Sequence, residues 1–98
     1  MVTEIYRYKF DESVAPEDIE AALVLAIWSS EALHGEAQTR LDAAHFLDCE
    51  TRTCIIDAGT AVGRDFCRLF LTFVRRECGD DSFQVDRVQS TAVAAAQK

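Results

Sequence analysis

Three side chains in one short stretch have the chemistry of metal ligands: His45, Cys49 and Cys54. Zinc takes four nitrogen or sulfur ligands in a tetrahedron, and a hairpin can bring Cys49 and Cys54 together. A fourth ligand has no evident source, because Cys67 and Cys78 are expected on the far side of a helix, and the closely spaced ligand pairs of zinc sites are missing. The cysteines are therefore read as structural free thiols, with a cross-hairpin disulfide or redox pair as the alternative. His34 precedes Gly35 at an expected helix end, where an imidazolium complements the negative pole of the dipole. His45 falls on a face with Leu41, Ala43 and Leu47 and is read as a hydrogen-bonded core histidine; a catalytic base would need a carboxylate to orient it.

Asp11, Asp42, Asp48, Asp57 and Asp86 offer oxygen ligands for a hard cation such as Mg²⁺. Arg7 and Lys9 are interspersed among them, so salt bridging is the reading adopted. The stretch Ala58-Gly59-Thr60-Ala61-Val62-Gly63-Arg64 follows an expected strand and opens a helix, a place where phosphates bind. It lacks the Gly-Lys-Ser/Thr ending of a phosphate loop and the glycines of a dinucleotide turn, which leaves a plain strand-to-helix connection. No catalytic residue, metal site or cofactor is assigned.

The elements that must position these groups follow from periodicity. Val2 to Phe10 alternates, with Tyr6, Tyr8 and Phe10 on one face and Ile5, Arg7 and Lys9 on the other, which predicts a strand. Pro16 and the acids Glu17, Asp18 and Glu20 suit the first turn of a helix running to about Leu33 and stopping at Gly35. Beyond Gly35, alternation of Leu41, Ala43, His45 and Leu47 against Arg40, Asp42, Phe46 and Asp48 predicts a second strand, and Cys54 to Ala58 a third. Thr60 is the expected N-cap of a second helix with the core stripe Val62, Phe66, Leu69, Phe70, Phe73 and Val74, ended by Gly79. Ser82 to Val88 reads as the last strand, with Phe83 and Val85 on its core face.

Strand, helix, strand, strand, helix, strand is the split βαβ order of the ferredoxin-like superfold: α+β, a four-stranded antiparallel sheet with two helices on one face. The first strand then lies between the third and fourth, setting Arg7 and Lys9 against Asp57 and Asp86 on the open side. One domain is expected over residues 1–89, followed by an Ala-rich, flexible tail over 90–98. So broad a superfold carries almost no functional implication.

The two expected helices differ. In the first, Ile19, Leu23, Ala26, Ile27, Ser30 and Leu33 form the core stripe, yet Ala21, Val24 and Trp28 lie nearly opposite it, with Leu25 beside them. That second stripe must meet the other helix, a partner chain or a ligand, since burying a Trp and a Val contributes about 3–5 kcal/mol. From Glu17 to Glu36 there are five acids and no Lys or Arg, whereas Arg64, Arg68 and Arg75 share the outer flank of the second helix with Arg76 nearby. The arginines are read as a solvated face, with inter-subunit pairing or anion binding as alternatives.

Ninety-eight residues, 49% hydrophobic and 28% charged, is the composition of one globular domain. A net charge of −7 disfavours nucleic acid and anionic membranes as partners. The longest apolar run, Ala21 to Trp28, is too short to span a bilayer. Met1-Val2-Thr3-Glu4-Ile5 lacks the features of a secretory signal, so a cytoplasmic location is expected. These readings converge on a non-enzymatic, self-associating module, a homodimer with Ala21, Val24, Leu25 and Trp28 at its interface, acting in assembly or regulation with a further protein partner as an option. The alternative is a ligand-binding protein or enzyme of the dimeric α+β barrel type, with His45 or Tyr8 in a pocket between two open sheets. RNA binding through Arg64, Arg68 and Arg75 is a third reading, without the aromatic motif of RNA-recognition sheets.

Overall fold

The computed structural model describes residues 4–88. The expected tail over 90–98 lies outside them. Among the described residues four strands and three α-helices follow in the order β1 (Ile5–Phe10), α1 (Pro16–His34), α2 (Glu36–Asp42), β2 (His45–Asp48), β3 (Thr53–Asp57), α3 (Ala61–Cys78) and β4 (Phe83–Val88), the last preceded by a 3₁₀ turn at Asp80–Ser82. The strands form one antiparallel sheet in the order β2-β3-β1-β4, a mixed α+β architecture. As expected, β1 is central, between β3 and β4.

Alternation in β1 divides the two sides of the sheet. Tyr8 and Phe10 are buried, as are Cys54 and Ile56 of β3, and they meet Ile19, Ala22, Leu23 and Ala26 of α1 and Val62, Phe66, Phe70 and Val74 of α3 in one core. Tyr8 stands edge-on to Phe70 at a centroid distance of 4.9 Å, a favourable quadrupolar arrangement. Arg7 and Lys9, on the opposite side, are exposed.

The largest departure from the sequence reading is α2: Arg40, Leu41 and Asp42, expected at the start of the second strand, end a helix that begins at Glu36. Gly35, at φ 89°, ends α1 with its N–H donating to the Glu31 carbonyl at 2.8 Å, and the chain immediately begins a new helix. Two contacts at i,i+4 spacing, the Arg40–Glu36 ion pair at 2.8 Å and the hydrogen bond from Gln38 to Asp42, belong to helical geometry and have no counterpart in a strand. Thr39 is buried against α1, where its hydroxyl meets that of Ser30 at 3.2 Å. Leu41, whose apparent alternation suggested a strand, is 76% exposed, and β2 begins only at His45. Leu33, expected in the core stripe of α1, is 66% exposed at the last turn of that helix.

The start of α3 matches its expected cap and adds a tight contact. Thr60 Oγ1 accepts from the Gly63 N–H at 2.9 Å and donates to the Asp42 carbonyl at 2.9 Å, so one hydroxyl caps α3 and ties it to α2. A Cβ on Gly63 would crowd the carbonyl oxygens of Asp57 and Asp42, the latter at 3.0 Å, so only glycine lets these three elements meet.

Candidate functional site

The exposed stripe on α1 is the first candidate surface. A 19-residue helix whose buried residues are Ile19, Ala22, Leu23, Ala26 and Ser30 turns the opposite side outward. Trp28, 64% exposed, points directly away from that core side, and Ala21, Val24, Leu25 and Ala32 share the exposed surface with it. Although α1 and α3 pack together, α3 does not cover this face, and neither does any other described residue.

Arg64, Arg68 and Arg75 of α3 are all exposed but do not share one environment. Arg75 donates to Asp80 at 2.7 Å and is neutralised within the chain. Arg64 and Arg68 line a cleft of about 350 Å³ between α3 and the β1/β4 side of the sheet, walled by Tyr6, Leu71 and Val85. Neither forms an ion pair with a carboxylate among the described residues. Asp65, the nearest acid in sequence, is engaged by His34 at 2.8 Å. The alternation of β1 and β4 placed Tyr6 and Val85 on the helix side, and that much was readable. Val85 was expected in the core; it is exposed because β4 is an edge strand and α3 does not close over it.

Among the described residues, the histidines and cysteines do not converge on one site. His45 is exposed at an edge strand rather than buried, and its Nδ1–H donates to the Ala43 carbonyl at 3.0 Å. Its ring lies 5.2 Å from that of Phe66. His34 turns to Asp65 and joins the end of α1 to α3. All four cysteines are free. Burial pushes the Cys54 thiol up to about 12 and raises the Tyr8 phenol, whose oxygen lies 3.1 Å from Cys67 Sγ. Burial also raises Cys67, offset in part by that same hydrogen bond. A thiol held protonated is a poor nucleophile and a poor metal ligand.

The aspartates are dispersed as well. Asp42 falls in α2, Asp48 accepts from the Glu50 and Thr51 N–H groups, and Asp57 accepts from the Gly59 N–H at 2.8 Å. Asp57 pairs in register with Ile5 rather than facing Arg7, while Arg7 does meet Asp86, at 3.6 Å. That pair is half-exposed and contributes less than about 1 kcal/mol. No group of three potential metal ligands occurs among the described residues. In the Gly59–Gly63 connection, the N–H groups of Gly59, Gly63 and Arg64 are already donated to Asp57 and Thr60, so they do not form an open phosphate cradle.

The uncovered side of the sheet holds Arg7, Lys9, Asp48 and Asp86 as expected, but it also carries an apolar pair. Phe46, 63% exposed, stands opposite Ile55 across the β2–β3 ladder, with a shallow depression on either side. The sequence reading had placed Phe46 among polar neighbours without assigning it a role.

No helix among the described residues is long and apolar enough to cross a membrane. Comparison with protein-family models, curated proteins and solved structures finds no match.

Proposed function

We propose that this chain is a non-enzymatic module that pairs with a second copy of itself through the outer face of α1, on a ferredoxin-like βαββαβ scaffold extended by α2. The observation that carries this reading is the exposed apolar stripe centred on Trp28. The strand order and the packing of both long helices against the Tyr8 side of the sheet support the scaffold.

A second copy is the occupant because the stripe is self-complementary. An antiparallel two-fold axis passing between Val24 and Leu25 sets Trp28 of each α1 at the level of Ala21 on the other, a large side chain over a small one. The same axis brings Glu17 level with Ala32 and gathers Val24 and Leu25 of both copies around it. The exposed part of one indole is on the order of 150 Å², so covering it contributes about 4 kcal/mol. Because α1 carries no Lys or Arg, apposed helices repel through their carboxylates, and added salt strengthens the dimer.

Sedimentation velocity across a concentration series tests this. Wild type is expected to dimerise, more tightly at 0.5 M than at about 0.05 M salt, and Trp28→Glu to remain monomeric with an unchanged circular dichroism spectrum. A monomeric wild type, or a Trp28→Glu variant that dimerises as well as wild type, overturns the proposal. The exposed Phe46–Ile55 pair favours a second reading in which two open sheet faces meet. In that case Phe46→Asp, and not Trp28→Glu, abolishes association.

A further inference from the structure

The cleft between α3 and β4 combines an apolar wall with two arginines that form no ion pair among the described residues, in a chain whose overall charge is −7. Its volume of about 350 Å³ falls within the range of small-molecule sites, roughly 300–1,000 Å³. Tyr6 and Leu71 are half-buried in its wall, and Val85 is an exposed aliphatic on the helix-bearing side of the sheet. Arg64 and Arg68 stand one helical turn apart at its edge, a spacing at which like charges destabilise a helix unless something neutralises them.

The nearby acids form no ion pair with them. Asp65 is held by His34 and Asp80 by Arg75, while Glu4, which also lines the cleft, makes no ion pair with either arginine. Arg87 adds a further cation, since it pairs in register with Tyr6 and so projects from the same side of the sheet, and it forms no ion pair among the described residues. The first turn of α3 carries no acidic residue, so the positive end of its dipole reinforces Arg64 instead of being offset.

We propose that this cleft binds a small amphipathic anion, with a carboxylate or phosphate head held by Arg64 and Arg68 and a short apolar tail laid against Tyr6, Leu71 and Val85. Guanidinium groups match both head groups in a bidentate fork, and the apolar wall distinguishes such a ligand from free phosphate or acetate. The site is separate from the α1 stripe, and either proposal can fail without the other.

The test is a titration of the isotopically labelled full chain, followed by amide resonances, with octanoate, octyl phosphate and neutral octanol. Octanoate, octyl phosphate or both are expected to bind saturably, below about 1 mM, shifting Tyr6, Leu71 and Val85. Arg64→Gln/Arg68→Gln is expected to weaken binding at least tenfold. Val85→Glu, which sets a carboxylate at an exposed position in the cleft, is expected to abolish it. Binding of neither anion, octanol binding as tightly as the anions, unchanged affinity in the double variant, or shifts confined to Val24 and Trp28 would overturn the proposal.

Discussion

Replacing Gly63 with alanine sets two effects of known sign against each other. Within a helix, alanine is better than glycine by about 1 kcal/mol, so propensity alone predicts a more stable protein. Gly63 is buried, however, where the first turn of α3 meets the ends of β3 and α2. The new methyl would stand 3.0 Å from both the Asp42 carbonyl oxygen and Thr60 Oγ1, and closer still to the Asp57 carbonyl oxygen. These oxygens are not free to move away. Asp42 O accepts the Thr60 hydroxyl at 2.9 Å, and Thr60 Oγ1 accepts the Gly63 N–H at 2.9 Å. Relief requires α3 to retreat, which costs about 1–3 kcal/mol for overpacking and about 1 kcal/mol for the strained cap. The steric terms exceed the propensity gain, and the net expectation is a loss of about 2 kcal/mol. In urea this lowers the midpoint without changing the m-value, and on heating it lowers Tm by roughly 8–16 °C for a domain of this size. Gly59→Ala is the control, since the only close atom its Cβ meets is an oxygen of the Asp57 carboxylate, at 3.0 Å, a side-chain end that can shift at the cost of one exposed hydrogen bond from the Gly59 N–H. A Gly63→Ala protein as stable as wild type, or more stable, would refute the close approach of α2, β3 and α3.

Two further outcomes follow from buried groups. The folded Cys54 thiol is raised from 9.0 to about 12, so the folded state holds a proton that the unfolded state releases above pH 9. The stabilisation is complete below pH 9 and is lost with slope up to about 1.4 kcal/mol per pH unit as pH rises toward 12. Urea titrations at pH 8 to 11 should show a shallower alkaline decline for Cys54→Ala than for wild type; equal slopes would remove Cys54 as a cause. Ser30→Ala leaves the buried Thr39 hydroxyl without its partner and should cost about 1–3 kcal/mol in urea unfolding. The double variant Ser30→Ala/Thr39→Val should cost less than the sum of the two single changes, and strict additivity would show that the hydroxyls do not interact.

Much of the fold was legible because it is encoded locally. Pro16 and Gly35 bracket α1, Thr60 and Gly79 bracket α3, and alternation in β1 put Tyr8 and Phe10 inward and Arg7 and Lys9 outward. The misreading of Arg40 to Asp42 as strand has a physical cause. Over so short a stretch the polar and apolar residues fit either period, and helix α2 is selected by contacts distant in sequence, Thr39 on Ser30 and Asp42 O under Thr60. His45 was misplaced for the same reason, since its supposed strand neighbours Leu41 and Ala43 belong to α2 and its end. For the candidate surfaces, Ala21, Val24, Leu25 and Trp28 could be named because the helical period alone shows two apolar stripes. That α3 packs only on the core stripe and leaves the outer one uncovered was not readable, because it depends on the angle at which the helices pack.

Residue order by itself therefore determined which side of each element is apolar, where the long helices begin and end, and that acid gathers on one helix and arginine on the other. These are properties of neighbours within a turn or a strand pair, and local sterics and periodicity suffice to specify them. Only the tertiary structure decided which arginines are already neutralised, which apolar side chains stay in water, and where an open cleft lies. Those outcomes depend on distances between segments far apart in the chain. Arg75 meets Asp80 just beyond the end of its helix, whereas Arg64 and Arg68 form no ion pair among the described residues, and Asp65, three residues before Arg68, is held by His34 from a different helix.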